Sequence, residues 1–169
     1  MLKVAVIGPE STGKTTLAEA LAAHFDTVCV PEYARTYLTA LDRPYDQKDL
    51  STIAMGQLAN EERLVQSAQE LLFLDTDLYV IKVWSEFKYG HCDPYILTSL
   101  KYHKADLYLL TDYNIPYEED PLRENPEQRA ELFDIYLKEM EASGCAFSIV
   151  RGSHKERLQH AIQKINDLL

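Results

Sequence analysis

Residues 8–15, which read GPESTGKT, constrain the fold of this 169-residue chain more than any other segment. They match the pattern G-x-x-x-x-G-K-[ST], follow an apolar run over residues 2–7 and precede a helical pattern that reaches residue 25. Glycine lets the backbone curl so that successive N–H groups point inward, and the start of a helix adds partial positive charge. A strand, a glycine-rich turn and a helix in this order predict a phosphate-binding loop.

The motif assigns a role to most of its side chains. Lys14 is placed to reach the β- and γ-phosphates of ATP, and the Thr15 hydroxyl to bind Mg²⁺, so we predict both as ligands. A carboxylate beside phosphates would repel them, so Glu10 either caps a local turn or faces a second substrate. The predicted ATP-binding residues of this segment are Gly8, Glu10, Ser11, Thr12, Gly13, Lys14, Thr15 and Thr16.

Short apolar runs alternate with helical patterns along the chain. Strands are predicted at residues 2–7, 27–30, 71–74, 106–111 and 146–150. Further helices are predicted at residues 32–41, 46–70, 78–88, 94–102, 126–143 and from 153 to the C-terminus. Such alternation is typical of βαβ units, and we expect an α/β fold in three layers, with a five-stranded parallel sheet and helices on both faces. No linker or repeat divides residues 1–169, which favours a single domain.

Charge and hydropathy argue against two classes of partner. The formal net charge is −10, whereas sequence-independent nucleic-acid binding needs an excess of Lys and Arg. No apolar run reaches the roughly 18 residues of a membrane-spanning helix, and the N-terminal segment lacks the features of a signal peptide. The three cysteines are widely spaced and resemble reduced thiols. We therefore predict a cytoplasmic protein with no nucleic-acid or membrane partner, whose oligomeric state the sequence does not indicate.

Acidic residues follow two of the predicted strands, at the edge of the sheet where ligands bind. Asp75 closes the third strand, and we predict that it holds a water of the Mg²⁺ shell, as Walker-B acids do. The alternative is a helix cap, which fits Asp77 equally well. Glu32 follows the second strand and is placed to accept the proton of an acceptor hydroxyl. Arg35 would lie on the same helical face, where a surface ion pair is the alternative.

The segment 112–129 carries two arginines, Arg123 and Arg129, on an exposed loop and at the start of a helix. Guanidinium groups stabilise the negative charge that develops in phosphoryl transfer, and a mobile lid excludes water. We predict that this segment is a lid and that both arginines take part in catalysis. The alternative is that they are ordinary solvated charges.

Four segments together resemble a known family: GPESTGKTTLA, PEYAR, FLDTD and LYLLTDYNIPYEEDPLRENPEQR. They are similar to the ribosylnicotinamide kinase domain of NadR-type NAD-biosynthesis proteins, which also contain a nicotinamide nucleotide adenylyltransferase. The resemblance covers nearly the whole chain. It implies the P-loop nucleoside and nucleotide kinase fold, and transfer of the ATP γ-phosphate to the 5′-hydroxyl of nicotinamide riboside. Because it concerns the kinase domain alone, it assigns neither adenylyl transfer nor DNA binding.

The resemblance also implies site residues. Those implied to face the riboside are Glu32, Tyr33, Arg35, Asp75 and Asp77, to which we add Trp84 because a flat pyridinium cation favours an aromatic face. Arg151 and Gly152 are implied to lie near the adenine. The predicted catalytic residues are Lys14, Glu32, Asp75, Arg123 and Arg129, and the predicted metal ligands are Thr15 and Asp75. The family often has Gly where this chain has Pro121, which we expect to stiffen the lid.

Two other functions fit the same residues. One is a different small P-loop kinase, with a deoxynucleoside or a nucleotide as acceptor. The other is a regulatory ATP-binding module that hydrolyses ATP slowly and has no acceptor. A base near a sugar hydroxyl and arginines in the lid separate the kinases from the regulatory module.

Overall fold

A computed structural model describes residues 1–169, which form five strands and seven helices. The strands are β1 (Leu2–Ile7), β2 (Val28–Val30), β3 (Leu71–Asp75), β4 (Leu107–Thr111) and β5 (Phe147–Val150). The helices are α1 (Lys14–His24), α2 (Tyr33–Ala40), α3 (Gln47–Val65), α4 (Leu78–Tyr89), α5 (Pro94–Tyr102), α6 (Arg129–Ser143) and α7 (His154–Asn166). None of these helices combines the length and the apolar composition that crossing a membrane requires.

All five strands are parallel, in the order β2-β3-β1-β4-β5. The register pairs Val6 of β1 with Asp75 of β3, and Ile7 with Leu110 of β4. The carboxyl ends of the three central strands therefore lie side by side. The loops after β2 and β5 lie at opposite edges of the sheet. The predicted five-stranded parallel sheet is confirmed.

The two faces of the sheet bury separate apolar clusters, because successive side chains of a strand point to opposite faces. Val4 and Val6 pack with residues of α1 and α7. Ala5 and Ile7 pack on the other face with residues of α3, α4, α5 and α6. The predicted layers of helices on both faces are confirmed.

Three helix boundaries differ from the prediction by three residues or more, one of them the end of α7, which lies at Asn166 rather than at the C-terminus. α3 ends at Val65 rather than at residue 70, because Ser67 and Ala68 form tight turns that redirect the chain into β3. α6 begins at Arg129 rather than at residue 126. Residues 126–128 instead continue the lid segment that precedes the helix.

The helix ends follow capping chemistry. Ser153 and Glu156 form a capping box at the start of α7, and Pro94 occupies the first turn of α5. Gly144 ends α6 with φ of 68°, a left-handed conformation that glycine adopts without strain. Capping residues therefore set these three helix ends.

Asp77, for which contact with the riboside is predicted, caps α4 in the structure. Its Oδ1 accepts a hydrogen bond of 2.9 Å from the backbone N–H of Tyr79. The other oxygen, Oδ2, is buried and has no hydrogen-bond partner. Burial raises the pKa of this carboxyl from its ordinary value of 3.8 to about 7. The side chain thus lies in the interior beside the sheet, and it does not line the cavity described below.

We expect Asp77→Asn to raise the free energy of unfolding at pH 8 by roughly 2–4 kcal/mol, since one pKa unit corresponds to about 1.4 kcal/mol. Asparagine keeps the helix cap and removes the buried charge. The pKa of Asp77 is higher in the folded protein than in the unfolded chain. Burial of the ionised carboxylate therefore disfavours folding most above pH 7. The gain should shrink as the pH falls from 8 to 4. Urea denaturation at several pH values measures it, and a gain that is independent of pH would contradict the assignment.

α2 and α3 pack closely where Tyr33 meets Gly56. A Cβ atom built on Gly56 lies 2.0 Å from the ring of Tyr33, so a larger residue cannot be accommodated without movement. We expect Gly56→Ala to lower the free energy of unfolding by about 1–3 kcal/mol, the usual cost of overpacking. Urea denaturation of both proteins measures the difference.

The Tyr33→Ala protein supplies the control, because it removes the ring that the new methyl group would meet. In this background Gly56→Ala should be neutral or stabilising, since alanine is the better helix former by about 1 kcal/mol. The same loss in both backgrounds would show that Gly56 is required for another reason.

Candidate active site

The loop between β1 and α1 requires both of its glycines, Gly8 and Gly13. Gly8 has φ of 139°, and a Cβ atom there would lie 2.4 Å from Oγ1 of Thr111. Gly13 has φ of 77° and immediately precedes α1. Both values lie in the region that L side chains avoid. The loop therefore curls at the amino end of α1, with the geometry of a phosphate-binding loop.

Buried hydroxyls tie this loop to the end of β4. The hydroxyl of Thr12 donates to the carbonyl of Pro9 over 2.7 Å, and its oxygen lies 2.6 Å from that of Thr111. Thr111 donates in turn to the carbonyl of Ile7 over 3.0 Å. The loop thus keeps its shape through side chains that do not face the solvent.

Arg157 of α7 adds a third support. Its side chain is only 2% exposed. Its guanidinium donates to the carbonyls of Thr12 over 2.7 Å, Gly152 over 2.9 Å and Asp112 over 2.9 Å. One buried cation therefore joins the phosphate-binding loop to the loops that follow β4 and β5.

Lys14 and Thr15 begin α1 and face acidic neighbours. Nζ of Lys14 donates to the carbonyl of Pro9 over 2.8 Å. Burial lowers the pKa of Lys14 from its ordinary value, while the charges of Glu32, Asp75 and Glu10 act in the opposite direction. The hydroxyl of Thr15 donates to Oδ2 of Asp75 over 2.7 Å.

Asp75 offers a further oxygen close to this loop. Its Oδ1 is buried and has no hydrogen-bond partner. Burial raises the pKa of Asp75 to about 6. The hydrogen bond from the Thr15 hydroxyl acts to lower this pKa, and the nearby charge of Glu32 acts to raise it. This carboxylate oxygen accepts no hydrogen bond and lies next to the Thr15 hydroxyl. The two oxygen atoms are ligands that suit a hard cation such as Mg²⁺.

Glu32 directly precedes α2, but its side chain does not cap the helix. It lines the same cavity as Lys14, in contrast to Asp77. Arg35 lies one turn later and forms an ion pair of 2.9 Å with Asp120 of the lid segment. Arg35 therefore joins α2 to the lid.

Both lid arginines contact the phosphate-binding loop. Nη1 of Arg123 donates to Oγ of Ser11 over 3.2 Å, and Nη1 of Arg129 donates to the carbonyl of Ser11 over 3.0 Å. Their guanidinium groups also lie 6.0 and 5.4 Å from the centre of the Tyr117 ring. Neither arginine is a free surface charge.

Lys14, Thr15, Glu32, Arg35 and Arg123 line one cavity of about 620 Å³, within the size range of small-molecule sites, whereas Asp75 and Arg129 lie behind its wall. Its walls come from the phosphate-binding loop, the lid, and helices α2, α4, α6 and α7. His154 follows β5 and Glu32 follows β2, so they enter from opposite edges of the sheet. The phosphate-binding loop, which follows the central strand β1, lies between them.

The wall on the β2 and β3 side is aromatic and apolar. Trp84 and Phe87 of α4 line it together with Leu38 of α2. Nε1 of Trp84 donates to the Tyr45 hydroxyl over 3.0 Å, which fixes the plane of the indole. Lys88 lies on the same helix and forms an ion pair of 2.9 Å with a lid residue, Glu124.

Tyr33, Arg151 and Gly152, all predicted to contact ligands, also lie outside the cavity wall in this structure. The Tyr33 ring packs against α3, and its backbone N–H donates to Oε1 of Gln57 over 2.8 Å. Arg151 forms an ion pair of 2.9 Å with Asp112, and Gly152 supplies a carbonyl to Arg157. These contacts with ligands stay predictions.

Sequence reasoning missed His154 and Arg157. His154 lines the cavity beside Gly13, where a Cβ atom would lie 3.1 Å from its ring. Both residues belong to a helix of strongly polar composition, in which charged side chains normally face the solvent. No pattern in the sequence distinguishes the buried arginine from its exposed neighbours.

Comparison with known proteins places the chain in a family. A model of the AAA domain family matches residues 3–157. The NadR protein of Salmonella typhimurium, a trifunctional NAD biosynthesis and regulator protein, is 31% identical over 124 residues. NadR of Escherichia coli K12 is 25% identical over 98% of this chain. These alignments span 30% and 42% of the length of the two NadR proteins, so the chain corresponds to less than half of either.

Solved structures agree with these relatives. The crystal structure of a NadR protein in complex with NR superposes with a TM-score of 0.79 and 26% identity, over 98% of this chain and 51% of that one. NadR in complex with NAD and AMP-PNP gives a TM-score of 0.76 and 26% identity, over 98% and 49% of the two chains.

More distant structures define the fold alone. Thymidylate kinase from Ehrlichia chaffeensis is 12% identical, with a TM-score of 0.71, over 97% of this chain and 98% of that one. Deoxyadenosine kinase from M. mycoides is 15% identical, with a TM-score of 0.63, over 98% and 100%. The chain therefore belongs to the AAA domain family, has the P-loop kinase fold and is homologous to NadR.

Proposed function

We propose that this chain transfers the γ-phosphate of ATP to the 5′-hydroxyl of nicotinamide riboside and so forms nicotinamide mononucleotide. The observation that carries the proposal is that the phosphate-binding loop, the carboxylate of Glu32 and aromatic residues of α4 meet in one cavity. Homology to NadR, and the likeness to NadR bound to NR, support the riboside as the acceptor.

ATP would lie along the phosphate-binding loop. The N–H groups at the start of α1 attract phosphate oxygens, and the ammonium of Lys14 supplies a full positive charge beside them. The adenosine would extend toward the loop after β5, where His154 lines the cavity. The likeness to NadR in complex with AMP-PNP supports an adenine nucleotide at this site.

Thr15 and Asp75 are the residues that would hold Mg²⁺. The unpartnered Oδ1 of Asp75 and the adjacent Thr15 hydroxyl fit a hard cation or a water of its shell. Bound there, the ion would neutralise charge on the β- and γ-phosphates.

Glu32 would act as the base. Its carboxylate is free of the helix cap and faces the cavity from the edge of the sheet opposite the adenosine side. It would accept the proton of the 5′-hydroxyl as that oxygen bonds to the γ-phosphorus. The bond from the γ-phosphorus to the bridging oxygen breaks at the same time, and ADP leaves with the electron pair.

The aromatic wall would receive the nicotinamide ring. Nicotinamide riboside carries a pyridinium charge, which the face of an indole attracts. Carboxylates of Glu32 and Glu118 also line the cavity and favour a cation. The one ammonium on this wall, that of Lys88, is paired with Glu124.

We expect Glu32→Gln to retain ATP binding and to lower the rate of phosphoryl transfer by at least about 100-fold, the usual contribution of a general base. Glutamine has nearly the same size as glutamate but cannot accept the proton. Calorimetric titration with an ATP analogue and a coupled ADP assay measure the two quantities. Lys14→Ala serves as the comparison and should lose ATP turnover altogether.

Full transfer by the Glu32→Gln protein would remove Glu32 from the mechanism. An equal loss of nucleotide binding in that protein would point to a structural role at the start of α2 instead.

The acceptor is identified by ADP release with Mg-ATP and a panel of acceptors against a control without acceptor. The panel contains nicotinamide riboside, ribonucleosides, deoxynucleosides and nucleoside monophosphates. We expect a large rise with nicotinamide riboside alone. A rise with another member would make the chain a kinase of that acceptor, and a slow constant rate throughout would indicate a regulatory ATPase.

A further inference from the structure

Glu10 lies within the phosphate-binding loop, but its carboxylate turns toward the lid. Oε2 accepts a hydrogen bond of 3.0 Å from the backbone N–H of Glu124, and Oε1 accepts one from that of Asn125. Two successive N–H groups thus converge on one carboxylate. Hydrogen bonds to an ionised acceptor are about twice as strong as neutral ones.

The segment that Glu10 holds carries a proposed catalytic group. Arg123 directly precedes the two N–H groups, and its guanidinium donates to Oγ of Ser11. The N–H of Glu118 donates to the same Oγ over 2.8 Å. Glu10 and Ser11 together therefore hold the segment from Glu118 to Asn125 against the phosphate-binding loop.

Other contacts hold the same segment from the opposite side. Arg35 pairs with Asp120, and Lys88 pairs with Glu124. These ion pairs attach the lid to α2 and α4. Glu10 and Ser11 are the attachments from the phosphate-binding loop itself, and Glu10 is the one that binds the backbone directly after Arg123.

The negative charge of Glu10 indicates which role this residue can have. A carboxylate in a loop that binds phosphates repels them, so Glu10 opposes ATP binding by Coulomb's law. A residue whose role was to bind ATP would instead favour ATP binding. We therefore expect the Glu10 carboxylate to act through the groups that it binds, which are the two lid N–H groups.

We propose that Glu10 is a positioning residue, which holds the lid so that Arg123 meets the γ-phosphate during transfer. The proposal rests on the phosphoryl transfer proposed above. It assigns Glu10 no direct contact with ATP. Its effect is therefore on the rate of transfer and not on the affinity for nucleotide.

The test compares Glu10→Gln with Glu119→Gln. Glutamine at position 10 keeps one acceptor oxygen, but its amide group faces an N–H donor and cannot accept it. Glu119→Gln makes the same change of charge in the same lid. Glu119 is exposed and does not line the cavity, so this substitution is the control.

Three quantities are measured for each protein. They are the affinity for AMP-PNP with Mg²⁺ by calorimetry, kcat with the acceptor, and amide exchange at Glu124 and Asn125 by NMR. We expect Glu10→Gln to lower kcat about tenfold, to bind the nucleotide equally well or up to about fivefold more tightly, and to exchange both amides at least tenfold faster. Glu119→Gln should match the unsubstituted protein in all three.

Unchanged amide exchange in the Glu10→Gln protein would overturn the proposal. So would faster exchange with an unchanged kcat, or weaker nucleotide binding with an unchanged kcat. If the unsubstituted protein transfers phosphate to no acceptor, the proposed function and the Arg123 step both fail. The exchange measurement then still decides whether Glu10 holds the lid.

Discussion

The curl of the chain between β1 and α1 is the constraint on which the rest of the site depends. Backbone N–H groups can point at a phosphate only if no side chain or carbonyl takes their place. The left-handed Gly13 and the close approach of Gly8 to Thr111 produce this shape, and buried bonds from Thr12 and Arg157 hold it. The phosphate site therefore depends on α7 and β4, which are distant in sequence.

The order of the strands explains why one cavity can hold two substrates. β1 lies in the centre, so its loop would face the γ-phosphate in the proposed reaction, while the loops after β2 and β5 reach the cavity from opposite edges. Glu32 and the aromatic wall enter from one edge and His154 from the other. In the proposed reaction, such a sheet would separate the acceptor from the adenosine and leave the reacting groups between them.

Local patterns predicted the fold well, because the strands are short apolar runs and the helix caps have specific chemistry. The lid contacts of Arg123 and Arg129 agree with the predicted lid, whereas details that depend on side-chain direction were not predictable. Asp75 ends β3 and Asp77 follows two residues later, yet only the structure shows that Asp77 is the helix cap. Tyr33 adjoins Glu32, but it is the first residue of α2 and faces α3, whereas Glu32 precedes the helix with an extended backbone. Arg157 carries no signal, since its burial arises from contacts among three separate loops.

The proposed transfer depends above all on one distance, that between the Glu32 carboxylate and the 5′-oxygen of the acceptor. It can be measured in a crystal structure with Mg²⁺, AMP-PNP and nicotinamide riboside. We predict that the 5′-oxygen lies within hydrogen-bond distance of Glu32, with the γ-phosphate on its other side and the pyridine ring against Trp84. A riboside bound with its 5′-oxygen far from Glu32, or outside this cavity, would contradict the account.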